Sequence, residues 1–421
     1  MATSVEAPDV SLLTGNTPAS LWKVVDGSVT DGDWDAAARA ALPCLAGLPA
    51  AGAPDPPTAI AQILGEAQFG PGHWRLPASR RLYYRVRPFL PPPARARLRQ
   101  AFLGRGDTPP PSLLRWPVED RYVAFQRRTA RELLRVKEVA SLPHVAFWPH
   151  DKTTALVLTH DVEEAAGQAF VRDLAAFEES HGVRSSFNFV PELYEVDRDL
   201  MEELRERGFE VGVHGLTHDG RLFSSRRRFR AAAPRINAYL ERWEAPGFRS
   251  PMTHRHPEWM QELDMEYDLS FFDTDPFEPI GGGTMSIWPF TIGRFVELPY
   301  TLVQDHTLMV TLGETTPRLW TEKLDFVERN HGMALLNSHP DYLLEPAHLA
   351  IYGAFLRDAA ARPGTWNALP VDVARWWKAR AAATTTARGG SWDVEGAEGA
   401  TISLVAAAGD DDVALVPVTA P

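Results

Sequence analysis

The chain has 421 residues, 44% hydrophobic and 23% charged, an ordinary globular composition with material for one large or two ordinary domains. With 43 Lys and Arg against 55 Asp and Glu the formal net charge is −12, which argues against a nucleic-acid-binding protein. The single cysteine, Cys44, excludes an internal disulfide and a cysteine-based metal cage. No basic-then-apolar leader opens the sequence, no apolar run approaches a membrane span and no internal repeat is visible, so a soluble protein of the reducing cytoplasm is expected, its oligomeric state open.

Residues 1–65 are rich in Ala, Pro and Gly, with PAAGAPDPP at Pro49–Pro57. Such a segment is expected to bury little and to be mobile, although Trp34–Leu45 has helical character. Residues 66–150 read as an ancillary helical region. Within it the run Ser79–Leu103 is basic and aromatic, suited either to an acidic membrane or glycan or to docking on an acidic main domain. The Pro-rich link Pro109–Pro111 precedes a helix predicted over Val118–Val136.

From 151 to 380 strand and helix signals alternate. Apolar, β-branched runs at Thr153–Glu163, Ser186–Val190, Phe209–Val213, Gly247–Arg249, Phe295–Tyr300 and Met333–Asn337 read as buried strands. Between them fall helices such as Ala166–Phe177, Leu200–Arg207, Arg226–Trp243 with a break near Pro234, and one opened by Thr316 as N-cap with Pro317 at its first position. Pro346–Ala361 and Leu369–Arg380 complete the set. Repeated βα units predict an α/β fold with a parallel barrel or a doubly wound sheet. The tail 381–421 either adds a small β element or stays loosely attached.

Several of these strands run straight into polar residues, where parallel sheets and barrels place their chemistry. The first ends in Thr159-His160-Asp161-Val162-Glu163. In extended chain Asp161 and Glu163 share a face, either as an acidic helix cap or as part of a catalytic cluster. The third gives His214-Gly215-Leu216-Thr217-His218, two imidazoles that converge on a metal if the loop turns between them. Arg249, followed by Ser250-Pro251, suits a fixed guanidinium that orients a carboxylate, or a surface Arg beside a turn. His339, held by Pro340, suits a proton donor, although a lone His-Pro is common.

In this order the clusters resemble the NodB-type polysaccharide deacetylases, carbohydrate esterase family 4. That family has an Asp-containing motif, His-[Ser/Thr]-x-x-His, an Arg-Pro motif, a second Asp motif and Leu-x-His. Here these fall at Thr159–Glu163, His214–His218, Arg249–Pro251, Asp273–Asp275 and Leu336–His339. The resemblance implies a distorted, incomplete (β/α) barrel and a metal-dependent hydrolase that removes an N-acetyl group from an amino sugar of a glycan or glycan precursor. Carried over, Asp161 is the general base, His214 and His218 hold a divalent metal, by default Zn²⁺, and Arg249 orients Asp161. His339 protonates the leaving amine, with Asp273 or Asp275 holding its imidazole.

Two departures stand out. Adjacent aspartates are usual in the first motif, but Val162 follows Asp161, so Glu163, as in one branch of the family, is the choice for third ligand. Gly215 stands where Ser or Thr is usual. In the long insertion Tyr267–Thr301, Trp288 and Phe290 are either sugar-stacking residues, joined by Pro251 in binding substrate, or core. The rival readings are a related hydrolase of a non-sugar amide, such as a ureide or cyclic imide, and an inactive glycan-binding homologue.

Overall fold

The computed structural model describes residues 10–70, 73–76, 112–388 and 391–418. The basic aromatic run Ser79–Leu103 and the link Pro109–Pro111 lie outside the described residues.

The organising strand is β2, Thr154–Val162, nine residues that are all buried. Its β-branched and apolar sequence suits a position covered on both faces, as a central parallel strand is. One edge pairs with β9 (Met333–Ser338), and the other with β3 (Ser186–Phe189) and, lower down, β10 (Thr365–Asn367), all parallel. From β3 the sheet continues in parallel through β4 (Glu210–His214), β5 (Gly247–Arg249), β6 (Tyr267–Asp268) and β8 (Phe295–Glu297). The short β7 (Phe290–Ile292) folds back antiparallel on β8. An isolated parallel bridge between Leu302 and Leu336 returns the sheet to β9. The result is an incomplete (β/α) barrel, curled by strand twist and joined at its last seam by a bridge where a full ladder would stand.

Helices cover the barrel where the apolar spacing places them. Ala165–Ser180 buries Val171, Leu174 and Ala175, and Arg318–Arg329 buries Leu319, Leu324 and Val327. The latter begins one residue later than predicted, with Pro317 as its N-cap. Arg226–Arg242 runs unbroken through Pro234, which lies on the exposed side of the helix. Arg226, Arg227, Arg228 and Arg230 are exposed on this helix, a solvated face.

The N-terminal residues differ from expectation. Residues 10–64 form helices at Pro18–Trp22, Asp31–Ala41 and Pro56–Leu64, each closed by an N-cap side chain, and they bury Trp22, Ala37, Leu45, Ile60 and Leu64. Alanine and proline, common in linkers, are here the small residues of close helix contacts and the first residues of two of the helices. The helix Arg121–Val136 packs beside them, Trp22 Nε1 donating to Gln126 O at 3.1 Å. Of the tail, β13 (Ile402–Ala408) pairs antiparallel with both β1 (Ser141–Val145) and β14 (Asp412–Pro417), and β11 (Thr384–Arg388) pairs with β12 (Ser391–Glu395). No helix among the described residues is long and apolar enough to cross a membrane.

A fully buried ion pair ties the N-terminal segment to the barrel. Glu66 Oε2 accepts from Arg255 Nε at 2.7 Å, Glu66 Oε1 accepts from Gly283 N at 2.9 Å, and Arg255 Nη1 donates to Thr253 O at 2.9 Å. Removing one partner of such a pair strands the other charge in a low dielectric. Glu66→Ala is therefore expected to cost about 3–5 kcal/mol of stability, read from urea unfolding, and a loss below about 1 kcal/mol would refute the assignment.

Candidate active site

The site gathers at the carboxyl ends of β2, β4, β5 and β9. Alternation along β2 sends His160 and Val162 outward and Thr159, Asp161 and Glu163 inward. His160 is thereby a packing residue: its Nε2 lies 2.8 Å from Glu178 Oε1, its Nδ1 2.9 Å from Ser338 Oγ, and its ring stacks on Phe187.

Asp161 is held from three sides. Its Oδ1 accepts from Asn188 Nδ2 at 3.1 Å and from Arg249 Nη1 at 3.3 Å, and its Oδ2 accepts from Asn337 Nδ2 at 3.0 Å. Burial alone would raise its pKa, but the charges of Arg249, His214 and His339 outweigh burial and hold the carboxyl below its ordinary value. Arg249 is itself fully buried, with Nε donating to Leu269 O at 3.0 Å and Nη1 also donating to Thr159 Oγ1 at 2.9 Å and to Asn337.

Glu163, His214 and His218 place one donor atom each within 4.8 Å of one another. Glu163 Oε1 lies 2.9 Å from His218 Nε2 and 3.9 Å from His214 Nε2. The 2.9 Å contact is a close ion pair when His218 is protonated, and both Nε2 atoms are buried and point at the carboxylate. His214 Nδ1 lies 3.1 Å from Arg249 O, which fixes the ring with Nε2 pointing inward. Two buried imidazole nitrogens converging on one carboxylate oxygen fit a divalent cation with nitrogen and oxygen ligands. The loop between the histidines explains Gly215: its φ is +62°, and a Cβ there would lie 2.4 Å from Pro251 Cγ, so Ser or Thr is excluded.

His339 stands across from these donors. Its Nε2 is 3.6 Å from Glu163 Oε1, its Nδ1 is 2.7 Å from Asp305 Oδ1, and its backbone N donates to Asp305 Oδ2 at 2.7 Å. Burial would lower its pKa, but Asp305, then Glu163 and Asp161, raise it to about 10, so the ring is charged at neutral pH.

Two expectations are corrected here. Neither Asp273 nor Asp275 holds His339. Asp273 pairs with Lys323 and accepts from Thr274 N at 2.7 Å, and burial raises its pKa to about 6. Asp275 accepts from Tyr300 Oη at 3.1 Å and from Phe277 N at 2.8 Å, and burial together with the charge of Glu278 raises its pKa well above the usual range. Both belong to a loop stitched to the N-terminal segment, whereas the bridge at Leu302 returns the chain beside β9 and brings Asp305 to the imidazole. Trp288 and Phe290 are the second correction. They are 1% and 3% exposed, Trp288 Nε1 donates to His331 O at 3.1 Å, and the neighbouring Ile287 O bonds the first residue of β9, at the end opposite His339. They are core. Pro251 lines a cavity of about 270 Å³ beside His218, with Thr217 and His254.

Several solved structures are similar to part of this chain. One, described as a "putative polysaccharide deacetylase" from Mycobacterium smegmatis, is 21% identical at a TM-score of 0.47, over 55% of this chain and 93% of its own. Another, described as a probable polysaccharide deacetylase from Pseudomonas aeruginosa, is 17% identical at 0.45, over 55% and 93%. An allantoinase is 18% identical at 0.43, over 56% and 93%. No family model and no curated protein matches the sequence.

Sequence reasoning missed Asn188, Asn337 and Asp305, which hold the base and the imidazole. The two asparagines had a signal, since each is a polar residue inside a buried apolar strand. Asp305 had none, because its role depends on which strand lies next to β9.

Proposed function

We propose that the protein is a divalent-metal-dependent hydrolase that removes an N-acetyl or other acyl group from an amino sugar of a glycan or glycan precursor met in the cytoplasm. The observation that carries this reading is that an ionised carboxylate, Asp161, 3.9 Å from His214 Nε2, and a charged imidazole, His339, 3.6 Å from Glu163 Oε1, both border the three donor atoms of Glu163, His214 and His218. A binding module has no use for such a base and acid.

Glu163, His214 and His218 would hold a divalent ion, Zn²⁺ by default, which when bound would supply Lewis acidity toward water and an amide carbonyl. The chain's own residues supply the proton traffic. Asp161, ionised and locked by Asn188, Asn337 and Arg249, accepts the proton of the attacking water. Held by these bonds, the base is presented in one orientation. His339 donates from Nε2 to the departing nitrogen, because Asp305 fixes the ring through Nδ1 and keeps it charged. Arg249 keeps Asp161 ionised and oriented.

Elemental analysis with acetate-release assays on N-acetylated sugars tests the proposal. One divalent ion per chain is expected in the wild type and is expected to be lost in His214→Ala and in His218→Ala. Full metal content in both variants would remove the ligand assignment. A second reading, hydrolysis of a small non-sugar amide such as a ureide or cyclic imide, is favoured by one observation: Trp288 and Phe290, the aromatic residues expected to stack on a sugar ring, are in the core. Turnover of cyclic amides with none of the N-acetyl sugars would select it.

A further inference from the structure

Glu163 carries the third donor on backbone that has already left the sheet, since the β2–β3 ladder ends at Val162 and Phe189. Two side chains brace this exit. Tyr194 Oη donates to Val162 O at 2.6 Å. Asp341 accepts twice: its Oδ2 takes Glu163 N at 3.1 Å and its Oδ1 takes Gly167 N at 2.9 Å. Gly167 lies in the first turn of the helix Ala165–Ser180, whose N-cap residue Glu164 makes no cap bond of its own. A Cβ on Gly167 would lie 2.4 Å from Asp341 Oδ2, so the carboxylate occupies the space of a side chain. Asp341 stands two residues after His339, in the short helix Pro340–Leu343.

We propose that Asp341 is a positioning residue for the metal centre: the strand end that bears the proton donor also clamps the backbone of Glu163, setting Oε1 against His214 and His218. The inference rests on the metal reading above. It accounts for how an acid two residues past the base serves as a ligand. A side chain at 162 points outward, and the carboxylate at 163 reaches the histidines only from a loop pinned at its own amide. Held in this way, the loop presents its ligand with little ordering left to pay for on metal binding.

A carboxylate on two amides of a helix start could equally be a plain helix cap, and the test separates the two. Glu164 is exposed and extended, so Ser at 164 restores a local cap to the Gly167 amide without touching Glu163 N. The proteins compared are the wild type, Asp341→Ala, Asp341→Asn, Glu164→Ser with Asp341→Ala, and His214→Ala. Zn²⁺ affinity is read by competition with a chromophoric chelator, and thermal stability separately. Asp341→Ala is expected to weaken Zn²⁺ binding about 10–100-fold. The double variant should regain thermal stability while its affinity stays low, and Asp341→Asn, which keeps one acceptor, should fall between. Recovery of affinity in the double variant, or unchanged affinity in Asp341→Asn, would reduce Asp341 to a cap and overturn the inference. Wild-type protein that takes up no more Zn²⁺ than His214→Ala overturns the metal reading itself.

Discussion

Asp161→Asn is expected to lower kcat about 10²–10⁴-fold, the span that general-base catalysis commonly supplies, with the divalent ion still bound. The substitution keeps the shape of the side chain and the acceptor for Asn188 and Arg249, and it removes the charge that receives the proton. The metal donors belong to other residues, so metal content and circular dichroism should match the wild type. Activity within a few-fold of the wild type, measured on any substrate that the native enzyme turns over, would show that Asp161 is not the base.

Asp305→Asn is expected to move the alkaline limb of the pH–rate profile down. His339 acts in its charged form, which persists to a pKa of about 10 chiefly because Asp305 offsets burial. The sign follows directly: without the carboxylate, burial is less opposed, the pKa falls toward or below the ordinary value of about 6.5, and the acid is discharged as pH rises past it. At pH 9 an ordinary histidine is less than ~1% protonated. The variant should therefore retain much more of its activity at pH 6 than at pH 9, where the loss exceeds about 100-fold. Superimposable profiles for the two proteins would leave His339 without a role as proton donor.

Both predictions concern a site only part of which was legible in the sequence. The polar ends of β2, β4, β5 and β9 could be read directly, because the residues that form a buried strand and those that end it are neighbours in the chain. The alternation along β2 is equally local, and it placed Asp161 beside Glu163 before any packing was known. The helices of the N-terminal segment are not legible in the sequence, because alanine- and proline-rich segments have the composition of a linker until a partner such as Arg121–Val136 buries them.

The acid that holds His339 was not legible, since Asp273, Asp275 and Asp305 all lie in the same stretch between β6 and β9. By itself the sequence determined the barrel's βα rhythm and the order of its chemical clusters, because burial pattern and strand-end chemistry are encoded over a few adjacent residues. Only the tertiary structure decided that Asp305 meets the imidazole, that Trp288 is core and that Asp341 clamps Glu163. Those contacts join residues whose separation along the chain says nothing about distance, and which of them form depends on how the strand returning at Leu302 and the loop under Glu66 share the barrel's last opening.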